Sequence, residues 1–428
     1  MKRALFVLFG LVLAAGSAAA ETVYIHAGKL LAVPGEGYLE ERTIVIEDGR
    51  ITYIAEGYLD ADEADRAIDL KDAYVLPGLI DSHVHLLNEW SPEVRWKTVT
   101  DTPSDQALTG AANARKTLMA GFTAVQDVGG TNDAIFALRD AIRTGTVPGP
   151  RIRAAGRAVA VTGGHGDING FSPTIMAIFT GDNVCNGADD CRRAVRQQVK
   201  EGADVIKITA TGGVLSNTRA GLGKQFTSEE MEAIVEAAAS MGRYVTAHAH
   251  GKDGIDAALR AGVRSIEHGT YLDEETVALF RRYDAVLVPT VLAGVTVTGW
   301  TDEAWLPQAS REKAAEVGPR MLDMLALAKE GGVRVAFGTD TGVSRHGENA
   351  LEFALMVEAG FTPEEAIRSA TVIAAEHLEM GEEIGSIEAG KLADIIAVDG
   401  DPLEDVTELE DVDFVMMGGE VHLNEIGD

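Results

Sequence analysis

A (β/α)8 TIM barrel with a small β-sandwich domain is the α/β architecture that this 428-residue sequence predicts. Three observations point to it. Eight short apolar runs, each followed by an Ala-rich amphipathic segment, fill the middle of the chain, and such alternation builds a parallel barrel. β-Branched runs recur near both chain ends. No G-x-G-x-x-G stands between a strand and a helix, as a doubly wound nucleotide-binding sheet would require.

The elements follow in order. Lys2 and Arg3 precede the apolar run Ala4 to Ala15, and Ser17, Ala18, Ala19 and Ala20 follow it. This reads as a secretory signal peptide over residues 1–20, so the expected localisation is periplasmic or secreted. The run is too short to span roughly 30 Å of hydrocarbon. Residues 21–76 hold β-like runs, with Asp48-Gly49-Arg50 as a hairpin signal. Residues 385–425 return to that texture, so both ends should share one β-sandwich domain. Residues 77–384 should form the barrel. Its runs begin at Leu79, Phe122, Arg151, Asp204, Tyr244, Ser265, Val286 and Arg334. Thr227, with Glu230 three residues on, signals the start of a helix over Ser228 to Met241.

Composition narrows the function. Acids outnumber bases by 67 to 37, a net charge of −30, which argues against nucleic acid or anionic membrane as partner. A share of 46% hydrophobic residues is enough to bury a full core. The two cysteines, Cys185 and Cys191, have two open readings: a disulfide closing a short loop of an exported protein, or two free thiols.

The histidines carry the chemistry. Of ten, seven fall at or just beyond a predicted strand end: His83, His85, His165, His248, His250, His268 and His346. That clustering matters because barrel enzymes place their chemistry at the C-terminal ends of the strands. His83 and His85 form H-x-H, which turns both imidazoles to one side of a strand and suits two ligands to one cation. His248 and His250 repeat the pattern, and His268 follows in Ile-Glu-His-Gly. Asp340 closes the last strand in Gly-Thr-Asp, where a carboxylate can bind metal and take a proton. Lys207 lies inside the apolar strand Val205-Ile206-Lys207-Ile208. It reads either as a lysine reaching out from a strand end or as a neutral amine able to take up carbon dioxide as a carbamate.

As a set, Pro77-Gly78-Leu79-Ile80-Asp81-Ser82-His83-Val84-His85, Lys207, His248, His268 and Gly338-Thr339-Asp340 resembles the amidohydrolase superfamily. The tail Gly385 to Asp394 is similar too, and the resemblance covers about residues 22 to 425. Thr162 to Gly166, Ala210 to Val214, His248 to Gly251 and Gly338 to Gly342 look more narrowly like the imidazolonepropionase-like branch. That branch holds Xaa-Pro and Xaa-Arg dipeptidases, metal-dependent carboxypeptidases and ochratoxin-degrading amidohydrolases.

The resemblance implies two Zn2+ per chain. His83, His85 and Asp340 would hold the more buried ion, and His248 and His268 the second. N6-carboxylated Lys207 would bridge them together with a hydroxide that attacks the amide carbon. His250 would polarise the scissile carbonyl, and Asp340 would be the general base and acid. A small amide or peptide is the implied substrate, and relatives suggest a homo-oligomer. Candidate substrate-binding residues are His165, Arg219, Arg345 and His346, the last three for a substrate carboxylate. All four tryptophans, Trp90, Trp96, Trp300 and Trp305, fall in predicted βα loops, which favours an apolar or aromatic C-terminal residue. Three functions stay open: a dipeptidase or carboxypeptidase, a cyclic-amide hydrolase of the imidazolonepropionase type, and a non-catalytic binding protein on the same scaffold.

Overall fold

The computed structural model describes residues 22–62, 65–218 and 220–426. The leader-type segment over residues 1–20 and Arg219 lie outside the described residues. The strands are β1 (Val23–Leu30), β2 (Leu39–Glu47), β3 (Arg50–Glu56), β4 (Arg66–Pro77), β5 (Leu79–Val84), β6 (Phe122–Asp127), β7 (Arg151–Ala154), β8 (Ile206–Thr209), β9 (Val245–Ala249), β10 (Ser265–His268), β11 (Val286–Val288), β12 (Arg334–Val335), β13 (Ile395–Val398), β14 (Phe414–Met417) and β15 (Glu420–Asn424).

Strands β5 to β12 form the barrel. Two parallel sheets, β5-β6-β7 and β8 to β12, are joined by the bridges Val159–Ile208 and Val84–Thr341. At the first seam Val159 N–H donates to the Lys207 carbonyl (2.8 Å). At the second, Asp340 N–H donates to the His83 carbonyl (2.8 Å) and His85 N–H to the Thr341 carbonyl (2.7 Å). Both seams therefore run through residues of the predicted site. Every residue of β5, β6, β8, β9, β10 and β11 is buried, as expected of parallel strands covered by helices. The helix Ser228–Ser240 begins with the expected capping box between Thr227 and Glu230.

The chain ends differ from the predicted β-sandwich. They build one seven-stranded sheet in the order β15-β14-β13-β4-β1-β2-β3, in place of two stacked sheets. This sheet curls until its ends meet. The Asp48-Gly49 turn between β2 and β3 touches the Gly418-Gly419 turn between β14 and β15, and a Cβ on Gly49 would lie 2.4 Å from the Gly418 carbonyl oxygen. Ala393 N–H donates to the Gly49 carbonyl (2.9 Å), and Gly419 N–H to the Ala393 carbonyl (3.1 Å). Inside the curl, Ile25, Ile44, Ile68, Leu70, Ile395, Phe414 and Met416 form one buried cluster. Alternation along each strand is the same for a curled sheet and a sandwich, so the pattern could not separate them.

Among the described residues no helix is long and apolar enough to cross a membrane. Cys185 is disulfide-bonded to Cys191 in the first turn of the helix Ala188–Glu201, and both are wholly buried. Replacing both by alanine should lower the unfolding free energy by about 2 kcal/mol, from the entropy of so short a loop. Denaturant midpoints check this; an unchanged midpoint would mean that the bond contributes nothing to stability.

Candidate metal centre

Two groups of donors meet at the C-terminal mouth of the barrel. His83, His85 and Asp340 form one, and His248, His250 and His268 the other; within each, the potential ligand atoms lie within 4.8 Å of one another. In the first, Asp340 Oδ1 is 3.4 Å from His83 Nε2 and 3.2 Å from His85 Nε2. The groups adjoin: the rings of His83 and His268 are 5.1 Å apart, and those of His248 and His268 4.6 Å apart.

Each imidazole is held through its other nitrogen. His83 Nδ1–H donates to Glu267 Oε2 (2.7 Å), and His85 Nδ1–H to the Gly129 carbonyl (2.9 Å). Both bonds leave Nε2 free toward Asp340. His268 Nδ1 pairs with Thr290 Oγ1 (2.7 Å), and His250 Nδ1 with Thr270 Oγ1 (2.8 Å). His248 is turned the other way: its Nε2 meets the Gly212 carbonyl (3.3 Å), which frees Nδ1. Such partners fix ring orientation and tautomer, as they do around bound metals.

Electrostatics favour ligand-competent forms. Burial pushes His248 and His268 well below the ordinary imidazole value, and neighbouring histidines push them further. His250 falls to about 3, chiefly through burial. Burial resists ionisation of Asp340, yet the facing His83 and His85 hold its carboxyl well below the usual range. Lys207 is lowered by burial, against the opposing pull of Glu267, Asp340 and Asp127. Neutral imidazoles, an ionised carboxylate and a buried amine whose charge is disfavoured make a nitrogen–oxygen donor set that fits divalent cations.

The donors line a cavity of about 350 Å3, walled on one side by Val214, Leu215, Ala293, Val297 and Met321. His165 also lines it, its ring 4.2 Å from that of His248 and its Nδ1 bonded to Ser216 Oγ. His346 does not line it; its Nε2–H donates to the Asn88 carbonyl (3.0 Å). Arg345 is an exposed loop charge 3.9 Å from Glu348. Trp300 and Trp305 pack edge to face, 5.2 Å apart, away from the cavity lining. Loop spacing alone had grouped these residues with the site.

Sequence reasoning missed the partners of the donors. Glu267 is wholly buried and also accepts from Ser265 Oγ (2.9 Å) and Thr246 Oγ1. A carboxylate inside the buried strand Ser-Ile-Glu-His was the available signal. Thr270 and Thr290 carried none.

A barrel whose strand ends gather six metal-capable side chains around one cavity defines a class, the metal-capable barrel hydrolases. Residues 74–422 match the model of the amidohydrolase family, and the chain belongs to that family. It is thus an enzyme that hydrolyses carbon–nitrogen bonds. The chain is 42% identical to a Xaa-Pro dipeptidase solved with methionine in its active site, with a TM-score of 0.90 over 94% of this chain and all of that one. It is 32% identical to the ochratoxinase of Aspergillus niger over 94% of this chain and 87% of the relative. The structure of that enzyme superposes with a TM-score of 0.82. Imidazolonepropionase of Micrococcus luteus is 23% identical over 88% of this chain and 92% of its own length.

Glu267→Gln keeps the shape of the side chain but removes the charge that His83 faces. Metal affinity should fall about 10–100-fold, measured by competition with a chelator. Unchanged affinity would remove Glu267 from any role in holding the centre.

Proposed function

We propose that this enzyme is a binuclear zinc hydrolase that cleaves the amide bond of dipeptides or N-acyl amino acids, with preference for an apolar or aromatic C-terminal residue. The observation that carries it is the pair of abutting donor sets, with Lys207 and Asp340 lining one cavity that has an apolar wall. Relatives named for Xaa-Pro dipeptides and for ochratoxin, an aryl amide of phenylalanine, support the substrate class.

His83, His85 and Asp340 would hold one ion, and His248 and His268 the other. Lys207, carboxylated on Nζ by carbon dioxide with loss of a proton, would offer one oxygen to each side. When bound, the two ions would make a water acidic near neutrality and polarise the scissile carbonyl. Asp340, kept ionised by its histidines, takes the proton of the attacking water and delivers it to the leaving amine. With Thr270 Oγ1 donating to its Nδ1, His250 presents Nε2–H to the carbonyl oxygen as charge develops there. Export is part of this reading, supported by the leader-type composition of residues 1–20 and by the disulfide.

The first test is hydrolysis of a dipeptide and N-acyl amino acid panel, with metal content measured on the same sample. Amide cleavage with about two zinc ions per chain is expected; two ions with turnover only of lactams or other ring amides would overturn the substrate class. Asp340→Asn should lower kcat by about a thousandfold or more with the fold intact. Retained turnover would displace it as the base. Lys207→Ala should lose metal and regain part of its activity with added short carboxylic acids; two ions still bound would sink the carbamate bridge. His250→Ala should lower kcat by about 10²–10³ with metal content unchanged, and loss of an ion would make it a ligand.

A further inference from the structure

A second cavity of about 600 Å3 adjoins the metal centre. Gly130, Thr131, Arg157, Gly166 and Asn183 line both, so the two spaces share one neck. Among these described residues Arg157 alone carries a permanent charge. Its backbone is pinned from below: Arg157 N–H donates to Asn132 Oδ1 (2.7 Å). The preceding Gly156 has φ +69°, and a Cβ on it would lie 2.4 Å from the same oxygen. The side chain is left free. Arg151 pairs with Asp394 and Arg153 with Glu379 (3.5 Å), but Arg157 has no carboxylate partner among the described residues. In a chain of net charge −30, a half-buried guanidinium without an anion stands out.

Of the other cations nearby, Lys97 lines the outer cavity but is exposed to solvent, and two more are occupied. Lys313 donates to the carbonyls of Gly213 (2.6 Å) and Ser216 (2.8 Å). Lys116 lies 3.9 Å from Glu89. The outer cavity also has an apolar side made of Trp90, Val94, Ile168 and Phe179.

We propose that the two cavities are one substrate site, in which Arg157 binds the α-carboxylate of the leaving amino acid and the outer cavity receives that residue's large apolar or aromatic side chain. The inference rests on the amide-hydrolase reading above. A guanidinium fork matches a carboxylate in two parallel hydrogen bonds. Anchored at the neck, the leaving residue places its amide nitrogen toward the metal centre, its side chain against Trp90 and Phe179, and the acyl group against the inner wall of Val214, Leu215 and Met321. Arg157 thereby selects free C-terminal carboxylates, and the outer cavity selects size.

The test compares N-acetyl-L-phenylalanine with its carboxamide, and with N-acetyl-L-alanine, on the zinc-loaded enzyme. Arg157→Met should raise KM for the free acid about 30-fold or more and leave the carboxamide unchanged, with Arg157→Lys in between. Thr98→Trp, which fills the outer cavity from a half-buried helix position, should cut kcat/KM for the phenylalanine substrate about tenfold and spare the alanine one. Equal losses on acid and carboxamide, or on phenylalanine and alanine, would overturn the assignment. Calorimetry of L-phenylalanine against L-phenylalaninol separates this inference from the broader reading, because it needs no turnover. Preference for the acid in the parent enzyme, lost in Arg157→Met, supports the site even if no amide of the panel is cleaved. No preference in the parent overturns it.

Discussion

The carboxylate of Asp81 ties the first barrel strand to the last, and the centre depends on that tie. Its Oδ1 accepts from His83 N–H (3.0 Å) and Thr339 N–H (3.2 Å); its Oδ2 accepts from Thr339 Oγ1 (2.6 Å) and Asn349 Nδ2 (2.8 Å). The first bond fixes the backbone of one donor and the second that of the residue before Asp340. A buried carboxylate is costly, and burial raises this one to about 6 despite four bonds that favour its charge. The cost is offset because closure of the barrel and assembly of the first donor set are the same event. Fold and site are thus not separable here: loosening β5 from the segment after β12 would part His83 from Asp340.

Burial does comparable work in the second donor set. The rings of His248, His250 and His268 crowd within 5 Å of one another. Three charged imidazoles so close would repel strongly at low dielectric. Desolvation keeps them neutral, and the threonines at 270 and 290 accept or donate without adding charge. On the other set, Glu267 places full negative charge behind His83, and His83 faces Asp340 in front. The two halves of the centre therefore differ in basicity before any ion enters. The half with two carboxylates within one imidazole's reach is the better one for a tightly held cation.

Much of this was legible in the sequence, and the limits have physical causes. H-x-H at a strand end is visible because a strand has a period of two. Lys207 stood out because an amine is costly inside an apolar run. Asp340 stood out because a carboxylate closes a buried strand. The partners were not legible: Glu267 meets His83 from 184 residues away, and Thr290 meets His268 from 22. Only barrel closure makes them neighbours. Arg157 carried no pattern at all, since its distinction is a side chain without a carboxylate partner among the described residues. His346 shows the reverse error, because a loop histidine at the right strand end was drawn off by the Asn88 carbonyl. The curled sheet escaped prediction because alternation fixes which side of a strand is buried, not how far the sheet bends.

Backbone conformation supplies the last link between the fold and the centre. His268 ends β10, and Thr290 and Asp340 lie in the segments just after β11 and β12, with φ of +72°, +52° and +58°. Non-glycine residues in this region cost on the order of 1–3 kcal/mol each and persist only where their surroundings fix them. Here the surroundings are on view. Asp340 N–H is held by the His83 carbonyl and Thr290 N–H by the Gly338 carbonyl (3.1 Å). Beyond Thr290, the buried Glu352 accepts from the amides of Val291 (2.9 Å) and Leu292 (2.6 Å). Glycine would relax all three positions, yet it would delete a nitrogen donor, a carboxylate, and the hydroxyl that orients His268. All three positions serve the centre with a side chain: His268 and Asp340 as donors, Thr290 as the partner of His268 Nδ1. Strain and function therefore coincide at the same three residues, two of them donors and the third the group that orients a donor.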